Sequence, residues 1–140
     1  MIINQLRRNS VAIISLVVAL SGLAYNTWRN EESEANRNIR DAGLFMMKEL
    51  AHLQEVVLYA RYDQADDRGD LKTGWSHVLA VKDISYAMPE NVQSSAAMLV
   101  KVWSEYSHVI TADEQNAYQA IDQAIDEVKQ EIIISINALR

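Results

Sequence analysis

The run Asn9–Trp28, NSVAIISLVVALSGLAYNTW, holds twenty residues without a charge, bounded by Arg7 and Arg8 before it and by Arg29 after it. A helix rises about 1.5 Å per residue, so a run of that length reaches about 30 Å, the thickness of a bilayer's hydrocarbon core. The sequence therefore predicts a tail over 1–8, a transmembrane helix over 9–28 and a helical domain over 29–140.

The flanks set an orientation. The tail is short and purely basic, whereas Glu31, Glu32, Glu34 and Asp41 follow the span. Basic tails stay on the cytoplasmic side, which places the domain outside. In a bacterium this means a single-pass inner-membrane protein with a periplasmic domain. Tyr25 and Trp28 stand where an aromatic belt would meet the outer headgroups. The rival reading is a cleaved secretory signal, with an apolar core over Val11 to Ala24 and small residues at Gly22 and Ala24. Against cleavage, Asn26, Thr27 and Trp28 extend the uncharged run beyond that cut. Within the span, Ala12, Ser15, Ala19 and Gly22 recur at steps of three and four, aligning small side chains on one face. Such a face lets a second membrane helix, from a partner or another copy, approach closely.

Residues 29–140 contain all nineteen acids and eleven of the thirteen basic residues, a formal charge of about −8. That charge disfavours nucleic acid and anionic lipid as partners of the domain. Cysteine is absent, which removes disulfides, thiolate catalysis and Cys-type zinc sites. Four Gly and one Pro are too few turn residues for a many-stranded β-protein.

The apolar spacing predicts four helices. In the first, from about Ser10 to Arg61, Ile39, Gly43, Met46, Leu50, Leu53, Val57 and Ala60 alternate steps of four and three, with Ala42, Met47 and Val56 widening the stripe. The acid-rich segment Tyr62 to Gly74 then reads as a solvated connection. A calcium loop centred on Gly69 would need Gln64 and Arg68 as ligands, and arginine cannot ligate calcium. A second helix is expected over roughly Gly74 to Met88, carrying Trp75, Val78, Leu79, Val81 and Ile84. Pro89 suits the first turn of a third, with the seam Val92, Ala96, Leu99, Trp103, Tyr106 and Ile110. Thr111 and Glu114 form a capping-box pattern, which ends the third helix near Ile110 and starts a fourth at Ala112. The fourth seam is Tyr118, Ile121, Ile125, Val128, Ile132, Ser135 and Leu139. The economical fold is all-α, an N-terminal transmembrane helix continuing into an antiparallel four-helix bundle. Ile132, Ile133, Ile134 and Ile136 exceed the needs of one seam, and read as a contact with a partner or lipid or as a thickened core.

Two Glu-x-x-His pairs, Glu49 with His52 and Glu105 with His108, match the ligand spacing of di-metal bundles. Their seam neighbours turn them about 100° off the core, and His108 ends its helix where His52 is mid-helix, so chance is the better reading. His77 reads as a lone surface histidine. No serine or threonine has a histidine and an acid placed to activate it, and no phosphate loop occurs, so no catalytic, metal or cofactor residue is assigned and no enzyme is expected. Met46, Met47, Met88 and Met98 read as core filling rather than haem or copper ligands.

The span running through Asn26, Trp28 and Arg29 into EESEANRNIRDAG (Glu31 to Gly43), followed by a helical bundle, resembles the periplasmic half of bacterial chemoreceptors and related sensor domains. It is also similar to small bacterial inner-membrane proteins with one span. The resemblance is architectural and carries no ligand motif; it departs at the missing second span and signalling region. The small face of the span and the Ile132 to Ile136 patch point to a membrane-anchored accessory or scaffolding subunit of an envelope complex. The alternatives are a ligand-sensing bundle with Trp75, Trp103 and Tyr106 around a pocket, and a di-metal bundle.

Overall fold

The computed structural model describes the backbone over residues 2–63, 67–112 and 115–139 and side chains over 9–63, 67–110 and 115–139. Four α-helices follow one another among the described residues: α1 (Ile2–Tyr62), α2 (Leu71–Ser85), α3 (Glu90–Tyr106) and α4 (Gln115–Asn137), with 3-10 turns at Asp67–Gly69 and Ser107–Ala112. The described residues contain no strand, and the all-α class follows directly. The chain divides into two compact units, Met1–Arg37 and Asn38–Arg140, and α1 supplies helix to both.

In the first unit every side chain from Val11 to Ala35 is exposed. The helix is long and apolar enough to cross a membrane, and none of its most apolar stretch is buried. That separates it from a core helix of a soluble protein, which passes the same length and composition test by burying its apolar surface. The rings of Tyr25 and Trp28 lie 6.2 Å apart at one end of the apolar run.

The second unit is built on the four-three seams. Met46, Leu50, Leu53, Val57 and Ala60 of α1 are buried, as are Val92, Ala96, Leu99 and Trp103 of α3 and Ile121, Ile125, Val128 and Ile132 of α4. These side chains and those of Val78 and Val81 from α2 form one continuous core. Contacts along neighbouring helices run in opposite residue order. Ile132 and Ile136 pack over Gly43, Gln54 bonds Asp122 and Lys129, and Arg61 donates to Gln115, so numbers rise in α1 as they fall in α4. Gly69 lies against Ala60 and His77 against Glu49, which sets α2 antiparallel to α1. The tight turn before Pro89 sends α3 back along α2, bringing Trp103 onto Gly74. Asn91 then donates to Glu131 and Ser135 of α4.

Helix ends differ from the sequence expectation for identifiable reasons. α2 begins at Leu71 rather than Gly74, because the Asp70 side chain accepts from the Lys72 amide at 3.2 Å and caps the first turn. It ends at Ser85, and Leu79, expected on the core face, is 48% exposed. Pro89 is the N-cap of α3, one position before the first turn. α3 stops at Tyr106, and the chain continues as a 3-10 turn that still buries Ile110. Thus α4 begins at Gln115, not Ala112. Glu114 of the expected capping box, and Gln64 and Asp66 of the acidic connection, lie outside the described residues.

Two glycines are demanded by close approach. A Cβ on Gly69 would stand 2.6 Å from the Ala60 nitrogen, and one on Gly74 would stand 2.3 Å from the Trp103 ring. The first lets the connection close against the end of α1. The second makes α2 a flat wall for the largest side chain in the core.

Candidate functional site

The two Glu-x-x-His pairs are not brought together. Among the described residues no three His, Asp or Glu side chains surround a common point. Glu105 and His108 are exposed, and Glu105 is engaged by its neighbour: the hydrogen bond it accepts from Tyr106 raises that phenol's pKa.

His77 departs from its expected role as a lone surface group. Its Nδ1 lies 2.7 Å from Glu49 Oε2, with side chains only 20% and 26% exposed. The His52 ring stacks with it at 5.4 Å between centres and 23° between planes. Both helices place these groups just off their seams, Glu49 beside Leu50 and His77 beside Val78, so facing flanks of α1 and α2 meet. Sequence spacing gives the angle of each residue about its own axis but not which helix stands opposite, and that missing information is what hid the cluster.

The aromatic residues expected around a pocket are placed differently. Trp103 is fully buried with its ring filling the space over Gly74, while Trp75 and Tyr106 are half-buried at the edge of the core. Among the described residues the Trp103 indole N–H has no acceptor, a deficit of about 1–3 kcal/mol in a buried site. A cleft of about 200 Å³ between α1 and α4, lined by Gln54, Val57, Leu58, Tyr118 and Asp122, is smaller than the roughly 300–1,000 Å³ of ordinary ligand pockets.

The isoleucine cluster is split by its packing. Ile132 is buried and Ile136 half-buried against α1, leaving Ile133 and Ile134 exposed. Met46 and Met88 are core residues, Met47 is half-buried and Met98 is exposed. Leu44, Phe45, Leu58 and Tyr62 are also exposed on α1. The solvent face of α4 is acidic, with Asp122, Asp126, Glu127 and Glu131 along one shallow depression. Ala12, Ser15, Ala19 and Gly22 of the apolar run are all exposed, and nothing lies within 4 Å of where a Gly22 Cβ would be.

At the junction of α1 and α4, the Arg61 guanidinium lies 4.5 Å above the Tyr118 ring. Burial pushes the Tyr118 phenol above its ordinary pKa of 10.0, the Asp122 and Tyr62 charges add to this, and Arg61 opposes it. A raised value means that folding favours the neutral phenol. Its contribution to stability is therefore complete below the unfolded value and is lost as pH rises through the folded one. Urea unfolding near about pH 9 and about pH 11 should show the domain losing stability at the higher pH, and losing less of it in Tyr118→Phe. An identical loss in both proteins would contradict this origin.

No family model, no curated protein and no solved structure matches this chain. The fold and the exposed apolar run define it as an all-α protein with one candidate membrane-spanning helix near its N-terminus.

Proposed function

We propose that this is a single-span protein of a bacterial inner membrane, with residues 1–8 cytoplasmic and the helical domain periplasmic, serving as an accessory or scaffolding subunit of an envelope complex. One observation carries the reading: the apolar run of α1 is entirely unburied. Each large apolar side chain left in water forgoes about 1.5–3 kcal/mol, so a run of this length calls for lipid or for another protein around it. The basic tail before the span and the acids after it support the stated orientation.

A binding role rather than a catalytic one suits the domain, whose described surface carries exposed apolar side chains on α1 and α4 and an acidic stretch along α4. The small face of the span is the proposed contact with a membrane partner or a second copy. Replacing Gly22 or Ala19 with leucine should weaken that association while leaving membrane insertion intact. Co-purification and crosslinking in mild detergent measure it, and association unchanged in both variants would remove this face from the proposal.

A further inference from the structure

We infer that the groove between α3 and α4 docks a basic amphipathic helix of a partner protein. The inference deepens the proposed accessory role and rests on it.

The partner's charge follows from an uneven distribution over the helices. Residues 38–62 of α1 carry three acids against two arginines and one lysine, and α2 carries one acid against two lysines. α3 and α4 together carry six acids against Lys101 and Lys129. Lys129 reaches to Gln54 of α1, away from α3. The acidity of the helices is thus confined to one half of the domain, and it favours a cationic partner there while repelling an acidic one.

The groove supplies the shape. Asn91 donates to Ser135 at 3.3 Å and to Glu131, tying the start of α3 to the end of α4. Beside that tie a cleft of about 260 Å³ opens among Asn91, Ser94, Ser95 and Met98 of α3 and Glu127 and Glu131 of α4. The serines are small enough to leave the space, and Met98, 49% exposed, forms its apolar side. The volume falls below the roughly 300–1,000 Å³ of small-molecule sites and suits inserted side chains of a protein. Ile134 continues the row of Glu127 and Glu131 at steps of four and three, and it is exposed. Apolar contacts therefore stand at two levels of the groove, with carboxylates between them. A helix laid along it would set apolar anchors, spaced three, four or seven apart, on Met98 and Ile134, and lysine or arginine over Glu127 and Glu131. Methionine adapts to the shape of such anchors.

The test is photo-crosslinking of the full-length chain in cells of its native host. Met98, Ile134, Leu79 on α2 and Ala19 in the apolar run are replaced one at a time by benzoyl-phenylalanine, and crosslinked peptides are sequenced by mass spectrometry. Met98 and Ile134, but not Leu79, should crosslink to a segment with apolar residues at helical spacing and lysine or arginine beside them. Glu127→Lys with Glu131→Lys should cut that yield at least about tenfold. Glu127→Lys alone, which leaves the Asn91 bonds in place, should cut it about threefold. Asp41→Lys with Asp83→Lys, the same change in net charge on α1 and α2, should leave it unchanged, and circular dichroism verifies the fold of each variant. Crosslinks from the groove to a second copy of this chain, to an acidic segment or to lipid would overturn the proposal, as would the same crosslinks from Leu79 or a yield that survives both lysines. Silence at Met98 and Ile134 with a protein crosslinked at Ala19 would overturn the groove and leave the accessory role in place, whereas silence at every position would overturn both.

Discussion

Trp103→Ala should destabilise the helical domain by about 3–5 kcal/mol, the usual cost of deleting a large aromatic side chain from a core. Trp103 is 0% exposed and heads the fully buried side chains by volume. Its ring rests on the bare Cα of Gly74 on α2, so its removal opens a cavity against a helix backbone that has no side chain to collapse into it. Domains of this size are stable by only about 5–15 kcal/mol, so the loss would take a large share of the total. Gly74→Ala tests the same contact from the other side. Alanine gains about 1 kcal/mol of helix propensity over glycine, but its methyl would stand 2.3 Å from the ring and force Trp103 out of place. The net change should be destabilising, although the same substitution in an open helix stabilises. Chemical denaturation followed by circular dichroism measures both. A Trp103→Ala cost below about 1 kcal/mol, or a stabilising Gly74→Ala, would contradict this packing.

Val18→Arg should remove much of the protein from the membrane. Val18 stands in the middle of the uncharged run, where arginine costs about 2.5–3.5 kcal/mol on insertion scales. Val17→Arg with Val18→Arg should roughly double that cost. Val18 is exposed and makes no part of the core, so the helical domain itself should unfold as before. Alkaline extraction of membranes separates integrated from peripheral protein: Val18→Leu should stay in the pellet and the arginine variants should move to the supernatant. Arginine variants that remain fully integrated would show that this run does not cross the bilayer.

Much of the architecture is legible in the order of the residues, because a buried helix face must repeat every three or four positions. Leu50, Leu53 and Val57 in α1 and Ile121, Ile125 and Val128 in α4 follow that rule and are buried. Helix ends are less legible, since they depend on single hydrogen bonds. Asp70 has the composition of one more solvated acid, yet its carboxylate accepts from the Lys72 amide and the Thr73 hydroxyl. Leu71 beside it, half-buried on the core, is the signal that marks the helix start. Pairings between helices are the least legible. Glu49 and His77 are 28 positions apart, and their contact exists only because α2 lies along α1. Similarly, nothing in the periodicity of Trp103 distinguishes a pocket wall from a core plug. The glycine at position 74 decides that, and it sits on another helix.

The absence of cysteine allows one measurement to address membrane topology directly. Asn4→Cys and Ser76→Cys, made separately in the full-length chain, each introduce a single thiol, the second on the exposed face of α2. A membrane-impermeant maleimide added to intact spheroplasts should label Ser76→Cys at once and Asn4→Cys only after lysis, with the mass of residues 1–24 retained in both. Labelling of Asn4→Cys in intact spheroplasts, protection of Ser76→Cys, or loss of the N-terminal mass would contradict a single retained span with the helical domain outside.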